Sequence, residues 1–276
     1  MPDAPRAARV PVGVDPSRAS IARVYDAFLG GTDNYEIDRE VFRRVAQAAP
    51  EARDLAIDNR GFLNRATRFL ASRAGIKQFL DCGSGLPTAE NVHQVVQRFD
   101  PEARVVYVDN DPVVLAHGRA LLEENAYTHF VAADIFEPQE LLENPVVRKH
   151  LDFSEPIGFL QFGTLHHFEG PKEGPAELMK TYIDALPTGS YVAISHFLDP
   201  ENQYSSVARH MEEHFRGSPM GSGTFRTHDE IVELFDGLEL IDPGVTRCAD
   251  WWPDGPQLEP LSQAQECIAG GVGIKR

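Results

Sequence analysis

Apolar residues near the N-terminus recur at helical spacing. Ile21, Val24, Tyr25 and Phe28 fall at i, i+3, i+4 and i+7, which is one face of a helix. Pro16 suits its first turn and Gly30-Gly31-Thr32 stops it. Ile37, Val41 and Val45 mark a second face that ends at Pro50. Leu55, Asn59, Phe62, Ala66, Phe69 and Leu70 mark a third that ends near Gly75. From position 76 the pattern changes. Short apolar runs at 78–82, 105–108, 129–132, 157–162 and 191–195 alternate with helical stretches near 88–99, 112–125, 137–150 and 174–186. Strands that are apolar on both faces and alternate with helices predict a mostly parallel sheet covered on both sides. Helical stretches near 203–215 and 227–236 precede two more strands, at 238–241 and 266–273. The expectation is a doubly wound, seven-stranded α/β domain over 76–276 and a helical N-terminal extension or cap over 1–75. The first 14 residues show no periodicity and are expected to be a mobile tail.

Composition narrows the class. The 276 residues suffice for a substantial core, and 42% are hydrophobic. Lys and Arg number 26 against 42 Asp and Glu, a net charge of −16. That argues against nucleic-acid binding, which needs a basic footprint, and against an anionic membrane surface. No apolar run approaches the roughly 20 residues that span a bilayer, and no signal-peptide core is present. Cys82, Cys248 and Cys267 are widely spaced and make neither a disulfide framework nor a zinc site. A cytoplasmic location and no resident metal are expected.

In an open α/β sheet ligands sit beyond the carboxyl ends of the strands, where the strand order reverses. The first strand runs into Asp81-Cys82-Gly83-Ser84-Gly85. Gly83 and Gly85 permit a tight turn and close approach of a ligand to backbone. A dinucleotide fingerprint would need Gly or Ala at 88, where Thr88 stands. Asp81 would repel a pyrophosphate but would accept hydrogen bonds from an ammonium group. Asp109 ends the second strand, 26 residues after Gly83, and its two oxygens can accept from both hydroxyls of a ribose. Its alternative role, capping the next helix, falls better to Asp111 ahead of Pro112. Asp134 follows the third strand and can accept from an adenine amine, or simply cap the helix at Pro138.

Taken together, Asp81-Cys82-Gly83-Ser84-Gly85, Asp109 and Ala133-Asp134-Ile135 resemble the class I S-adenosylmethionine-dependent methyltransferases over about 78–200. The stretch from Ala22 to Tyr35, which includes Tyr25-Asp26-Ala27-Phe28-Leu29-Gly30-Gly31, resembles something narrower. So do Asn59-Arg60-Gly61-Phe62-Leu63-Asn64-Arg65 and Leu165-His166-His167-Phe168. These are similar to a bacterial family named only "S-adenosyl methyltransferase", formerly a domain of unknown function. The resemblance implies a Rossmann-like fold and S-adenosyl-L-methionine as cofactor. It implies that Gly83 and Gly85 meet the methionine part and that Asp81 faces the amino end. Asp109, with Asn110 beside it, would hold the ribose, while Asp134 and Ile135 frame the adenine. Pro87 departs from the class, where a third glycine is common, and stiffens the turn.

The fourth strand ends Gln161-Phe162-Gly163-Thr164-Leu165-His166-His167-Phe168, where this class meets its acceptor. There is no Asn/Asp-Pro-Pro-aromatic run, no Pro-Cys nucleophile and no acid for a catalytic metal. What stands there is a histidine pair, and either His166 or His167 could act as general base near neutral pH, or hold the loop. His196, after the fifth strand, is a further candidate on the rim. Phe162, Tyr25, Gly31 and Asn34 are candidate cofactor contacts. Arg60 shares a helix face with Asn64 and could clamp the cofactor carboxylate. Asp250-Trp251-Trp252-Pro253-Asp254 reads as a packed loop, with pocket lining the alternative. The expected activity is methyl transfer to a small-molecule oxygen or nitrogen. The alternatives are a non-catalytic S-adenosylmethionine-binding regulatory module and, further off, a nicotinamide-dependent oxidoreductase.

Overall fold

The structure is a computed structural model that describes residues 14–87, 90–121 and 125–276. The tail expected over the first 14 residues lies outside them except for Val14. Three helices come first: α1 (Ile21–Leu29), α2 (Glu36–Ala48) and α3 (Ala52–Ser72). Ser20 caps α1, accepting from the Arg23 N–H, so Pro16 stands in a turn ahead of the helix rather than inside it. Gly30, with φ of 80°, ends it in the left-handed conformation.

Five strands then alternate with helices: β1 (Gln78–Cys82), β2 (Arg104–Asp109), β3 (Thr128–Ala132), β4 (Gly158–Phe162) and β5 (Tyr191–Phe197). Between them stand α4 (Val92–Val96), α5 (Pro112–Leu121), α6 (Pro138–Glu143), α7 (Pro145–His150) and α8 (Gly174–Ala185). The stretch expected as one helix over 137–150 is two. Pro145 has no N–H to donate and drives Asn144 out of the helical region, to ψ of 128°. The Asn144 side chain then caps α7 through the Val146 N–H. Beyond β5 come α9 (Ser205–Arg216), α10 (His228–Val232), β6 (Glu239–Leu240), β7 (Thr246–Arg247) and β8 (Ile268–Ile274). The sheet therefore has eight strands where seven were expected. The extra one is β7, too short to show alternation.

The strand order is β3-β2-β1-β4-β5-β8-β6, with β7 pairing on β8. The first five strands run parallel, and β8 is antiparallel to β5, β6 and β7. Successive residues point to opposite faces. Phe79, Val105, Leu160 and Ala193 pack under α1–α3 and α9, while Leu80, Val106, Phe159 and Val192 pack under α6–α8 and α10. The N-terminal helices thus share a core with the sheet. Gly270 on β8 is where α3 comes closest, since a Cβ there would strike the Phe62 ring. Among the described residues no helix is long and apolar enough to cross a membrane.

Candidate active site

The strand order turns back between β1 and β4, and the carboxyl ends of β1–β5 open there into a cavity of about 530 Å³. After β1 the chain turns at Gly83 and Gly85, with φ of 73° and 66°. The Gly83 and Ser84 N–H groups donate to the Val108 carbonyl at 2.8 and 3.0 Å, which ties the turn to β2. A Cβ on Gly83 would collide with Thr164, whereas the space around Gly85 is open. A ligand can therefore approach the backbone at Gly85.

Four carboxylates line this side of the cavity: Asp81, Asp109, Asp111 and Asp134. Asp81 is 6% exposed, and no hydrogen bond reaches its carboxylate among the described residues. Burial pushes its carboxyl up to about 7, the Asp109 charge adds to the rise, and the Arg60 guanidinium pulls the other way. A desolvated carboxylate facing a cavity is a site for a cationic group. Asp109 accepts the Gly85 N–H on one oxygen and the Asp111 N–H on the other, both at 2.9 Å. Each oxygen keeps a further lone pair for a hydroxyl. Burial moves this carboxyl up to about 6, against the pull of those backbone donors. Asp111 takes the capping role through the Val113 N–H at 2.7 Å and also accepts from Ser20, which brings the residues before α1 across the cavity mouth. Asp134 is exposed and holds its own turn through the Phe136 N–H at 2.9 Å. Asn110, Ile135 and Phe162 complete this lining.

Arg60 lines the cavity and donates to the Glu90 carbonyl, while Asn64, one turn on, donates to the Glu90 carboxylate at 3.0 Å. Tyr25 also faces the cavity, its hydroxyl donating to the Ala56 carbonyl at 3.1 Å and accepting from Asn59 at 3.0 Å. Asn59 accepts from Ser195, which in turn accepts the Gly163 N–H at 2.9 Å. This chain joins α1, α3, β5 and the turn after β4. Asn59 interrupts the apolar face of α3, and a buried amide on such a face is the signal that could have marked it. The structure does not bring Gly31 and Asn34 to the cavity. Their loop is folded onto Asp26, which accepts from Asn34 at 2.7 Å and from the Asp33 N–H at 3.0 Å.

The histidine pair forms a single 3₁₀ turn after β4, and both rings line the cavity. The His166 ring is 2% exposed and lies flat on Phe197, with ring centres 3.6 Å apart and planes 8° apart. Its Nδ1 is buried with no hydrogen-bond partner. Burial and the neighbouring His167, His196 and Arg226 hold it well below the usual histidine range. His167 pairs through Nδ1 with the Ser222 hydroxyl at 2.9 Å, and burial takes it down to about 3. His196 is not on the lining. Its Nδ1 donates to the Phe197 carbonyl at 2.8 Å and its Nε2 accepts from Arg226 at 2.8 Å, so neither nitrogen is free to act as a base. The 250–254 loop is likewise away from the cavity. Trp251 is buried against Phe62, Phe69 and Trp252. The remaining wall comes from residues that sequence reasoning passed over: Phe28, Leu55, Phe197, Phe215, Met220 and Ile268. They converge only through the fold, from α1, α3, α9, the Phe197–Ile268 end of the β5–β8 pair and the loop after α9.

A glycine turn after β1, an acid at the end of β2 and another after β3 fit a nucleoside joined to an amino acid. Comparison with known proteins agrees. No match was found among curated proteins. A crystal structure described as a candidate methyltransferase from Thermobifida fusca YX is 41% identical, covers 98% of this chain and 100% of that one, and superposes with a TM-score of 0.91. A DUF574 family protein from Streptomyces avermitilis MA-4680 is 34% identical over 95% of this chain and 99% of that one, with a TM-score of 0.88. The pyocyanin biosynthetic protein PhzM shares the fold at 16% identity and a TM-score of 0.51, over 96% of this chain and 74% of that one. The profile of the family described as S-adenosyl methyltransferase matches residues 7–276. The nicotinamide alternative falls with that match, and the chain belongs to the S-adenosyl methyltransferase family, as an enzyme whose cofactor is S-adenosylmethionine.

Proposed function

We propose that this methyltransferase acts on an oxygen or nitrogen of a small molecule enclosed beside the cofactor, with His166 taking the acceptor's proton. When bound, S-adenosylmethionine supplies an electrophilic methyl group whose S–C bond breaks with its electron pair staying on sulfur. The residues fit that group. Asp81 and Arg60 stand ready for its ammonium and carboxylate, and the turn at Gly83 and the open backbone at Gly85 for the chain between them. Asp109 and Asn110 hold the ribose, while Asp134 and Ile135 frame the base. Tyr25 and Phe162 line the same space.

The observation that carries the base assignment is the cavity-lining imidazole of His166, which follows β4, lies on Phe197 of β5 and has no hydrogen bond to either ring nitrogen among the described residues. An acceptor O–H or N–H is the partner it lacks. His167, tied to Ser222, holds the turn instead. A base weakened by burial is competent here because the proton arrives as the sulfonium charge disappears, so charge is moved within the cavity rather than added. The net charge of −16 and the cavity of about 530 Å³ support a small molecule over a nucleic acid or a membrane surface. Three buried, unpaired cysteines support a reducing, cytoplasmic setting.

The test is release of S-adenosylhomocysteine in the presence of a panel of small hydroxyl and amine compounds. With an accepted compound, His166→Gln is expected to lower kcat by about 10²–10⁴-fold while cofactor affinity stays within about twofold. An unchanged kcat in His166→Gln would remove the base assignment.

A further inference from the structure

The fold divides the cavity lengthwise. The β1, β2 and β3 ends contribute Asp81, Asp109, Asp111 and Asp134, all of its carboxylates. Arg60, its guanidinium turned to the Glu90 carbonyl beyond β1, belongs to the same half. The β5 and β8 side contributes Phe197 and Ile268, joined by Phe215 and Met220 and roofed by Phe28 and Leu55. His166 and His167 line the cavity beside the second, the His166 ring lying on Phe197. Burial keeps both imidazoles uncharged near neutral pH. Among the described lining residues, nothing in the second half carries a charge, and the Tyr25 hydroxyl and Asn59 amide at its edge are already bonded to Ala56, Ser195 and each other. An ionised acceptor entering it would lose hydration with no opposite charge in return.

The apolar half is also built of aromatic rings in sequence. Phe28 lies 6.1 Å from Phe215, Phe215 lies 5.3 Å from Phe197 at 20°, and Phe197 carries the His166 ring flat upon it. Phe225 backs Phe197 from outside the cavity at 4.8 Å and 19°. A wall of near-parallel rings offers faces and edges that a flat ring can match better than a flexible chain. It leads to the His166 imidazole, which lines the cavity with no hydrogen bond to its nitrogens among the described residues.

We infer that the acceptor is a flat, uncharged aromatic small molecule, bound against Phe28, Phe215 and Phe197 with its acceptor group toward His166. This rests on the reading of the cavity as the methyl-transfer site. Three probes of matched size test it by calorimetry on protein saturated with S-adenosylhomocysteine: 2-naphthol, its carboxylate counterpart 2-naphthoate, and the non-planar 2-decalol. 2-Naphthol is expected to bind at least about tenfold more tightly than either of the others. Phe215→Leu is expected to weaken it about fivefold or more with S-adenosylhomocysteine affinity unchanged, which also shows that the variant folds. Equal binding of 2-naphthoate or 2-decalol, or no binding of 2-naphthol, overturns the inference while leaving the cofactor site standing. Failure of S-adenosylhomocysteine itself to bind overturns the underlying reading and this inference with it.

Discussion

Asp81 and His166 are buried alike yet respond to burial in opposite senses. A low-dielectric site disfavours whichever form carries charge, so the carboxyl rises to about 7 and the imidazole falls well below its usual range. Both groups therefore tend toward neutrality in the unliganded protein. For Asp81 this has a definite sign. Its folded carboxyl lies above the unfolded value of about 3.9, so the folded state holds the extra proton and stability declines as pH rises from about 4 toward 7. A cofactor ammonium beside Asp81 favours the carboxylate, so binding below pH 7 must expel a proton. Affinity for S-adenosylhomocysteine is accordingly expected to rise about tenfold between pH 5.5 and 7, with proton release seen as a buffer-dependent calorimetric heat. Asp81→Asn should flatten that rise. A pH-independent affinity in the wild type would show that Asp81 does not meet the ammonium.

Among the elements, β8 places the tightest demand on its neighbours. A Cβ on Gly270 would meet the Phe62 ring and lie 2.8 Å from the Ile194 carbonyl, so α3 or the sheet must move to admit it. Gly270→Ala is expected to cost about 1–3 kcal/mol, which lowers Tm by several degrees in a chain of this size. Gly255→Ala, where a Cβ meets nothing within 4 Å, should stay within about 0.5 kcal/mol. Equal melting temperatures for the two variants would contradict this packing. The strands β1–β5 were legible because each is a short apolar run bounded by glycine, proline or acid, and apolar on both faces. The acidic half of the cavity was legible for the same reason, since its residues sit at or just past strand ends that the pattern locates. The apolar half was not. Phe28, Phe197, Phe215 and Ile268 are far apart in sequence, and nothing local distinguishes them from ordinary core residues. Gly31 and Asn34 lie off the cavity lining, and a Gly-Gly turn beside a polar residue reads the same in sequence whether it cradles a ligand or closes on its own helix. Here it closes on Asp26. The double tryptophan reads as a packed loop in the sequence, and its rings do pack against Phe62 and Phe69.

Across the whole molecule, polarity is arranged along the sheet. The half that runs from β1 to β3 presents acids at its carboxyl ends, and the half from β5 to β8 presents rings and aliphatic side chains. A ligand with cationic groups, a ribose and an adenine suits the first, and a small acceptor the second. The reversal of strand order puts the histidine turn where the two ligands would meet. The helices α1–α3 share a core with the sheet and close the cavity from above, with Ser20 bonded to Asp111 across its mouth. The central claim, that the acids beyond β1 and β2 form the S-adenosylmethionine site, is tested most directly by titrating the cofactor into stripped protein in a calorimeter, with Asp109→Ala alongside. Binding by the wild type, weakened at least about tenfold in an Asp109→Ala variant that still melts cooperatively, is the predicted result. Equal affinities in the two proteins, or no binding by folded wild type, would contradict it.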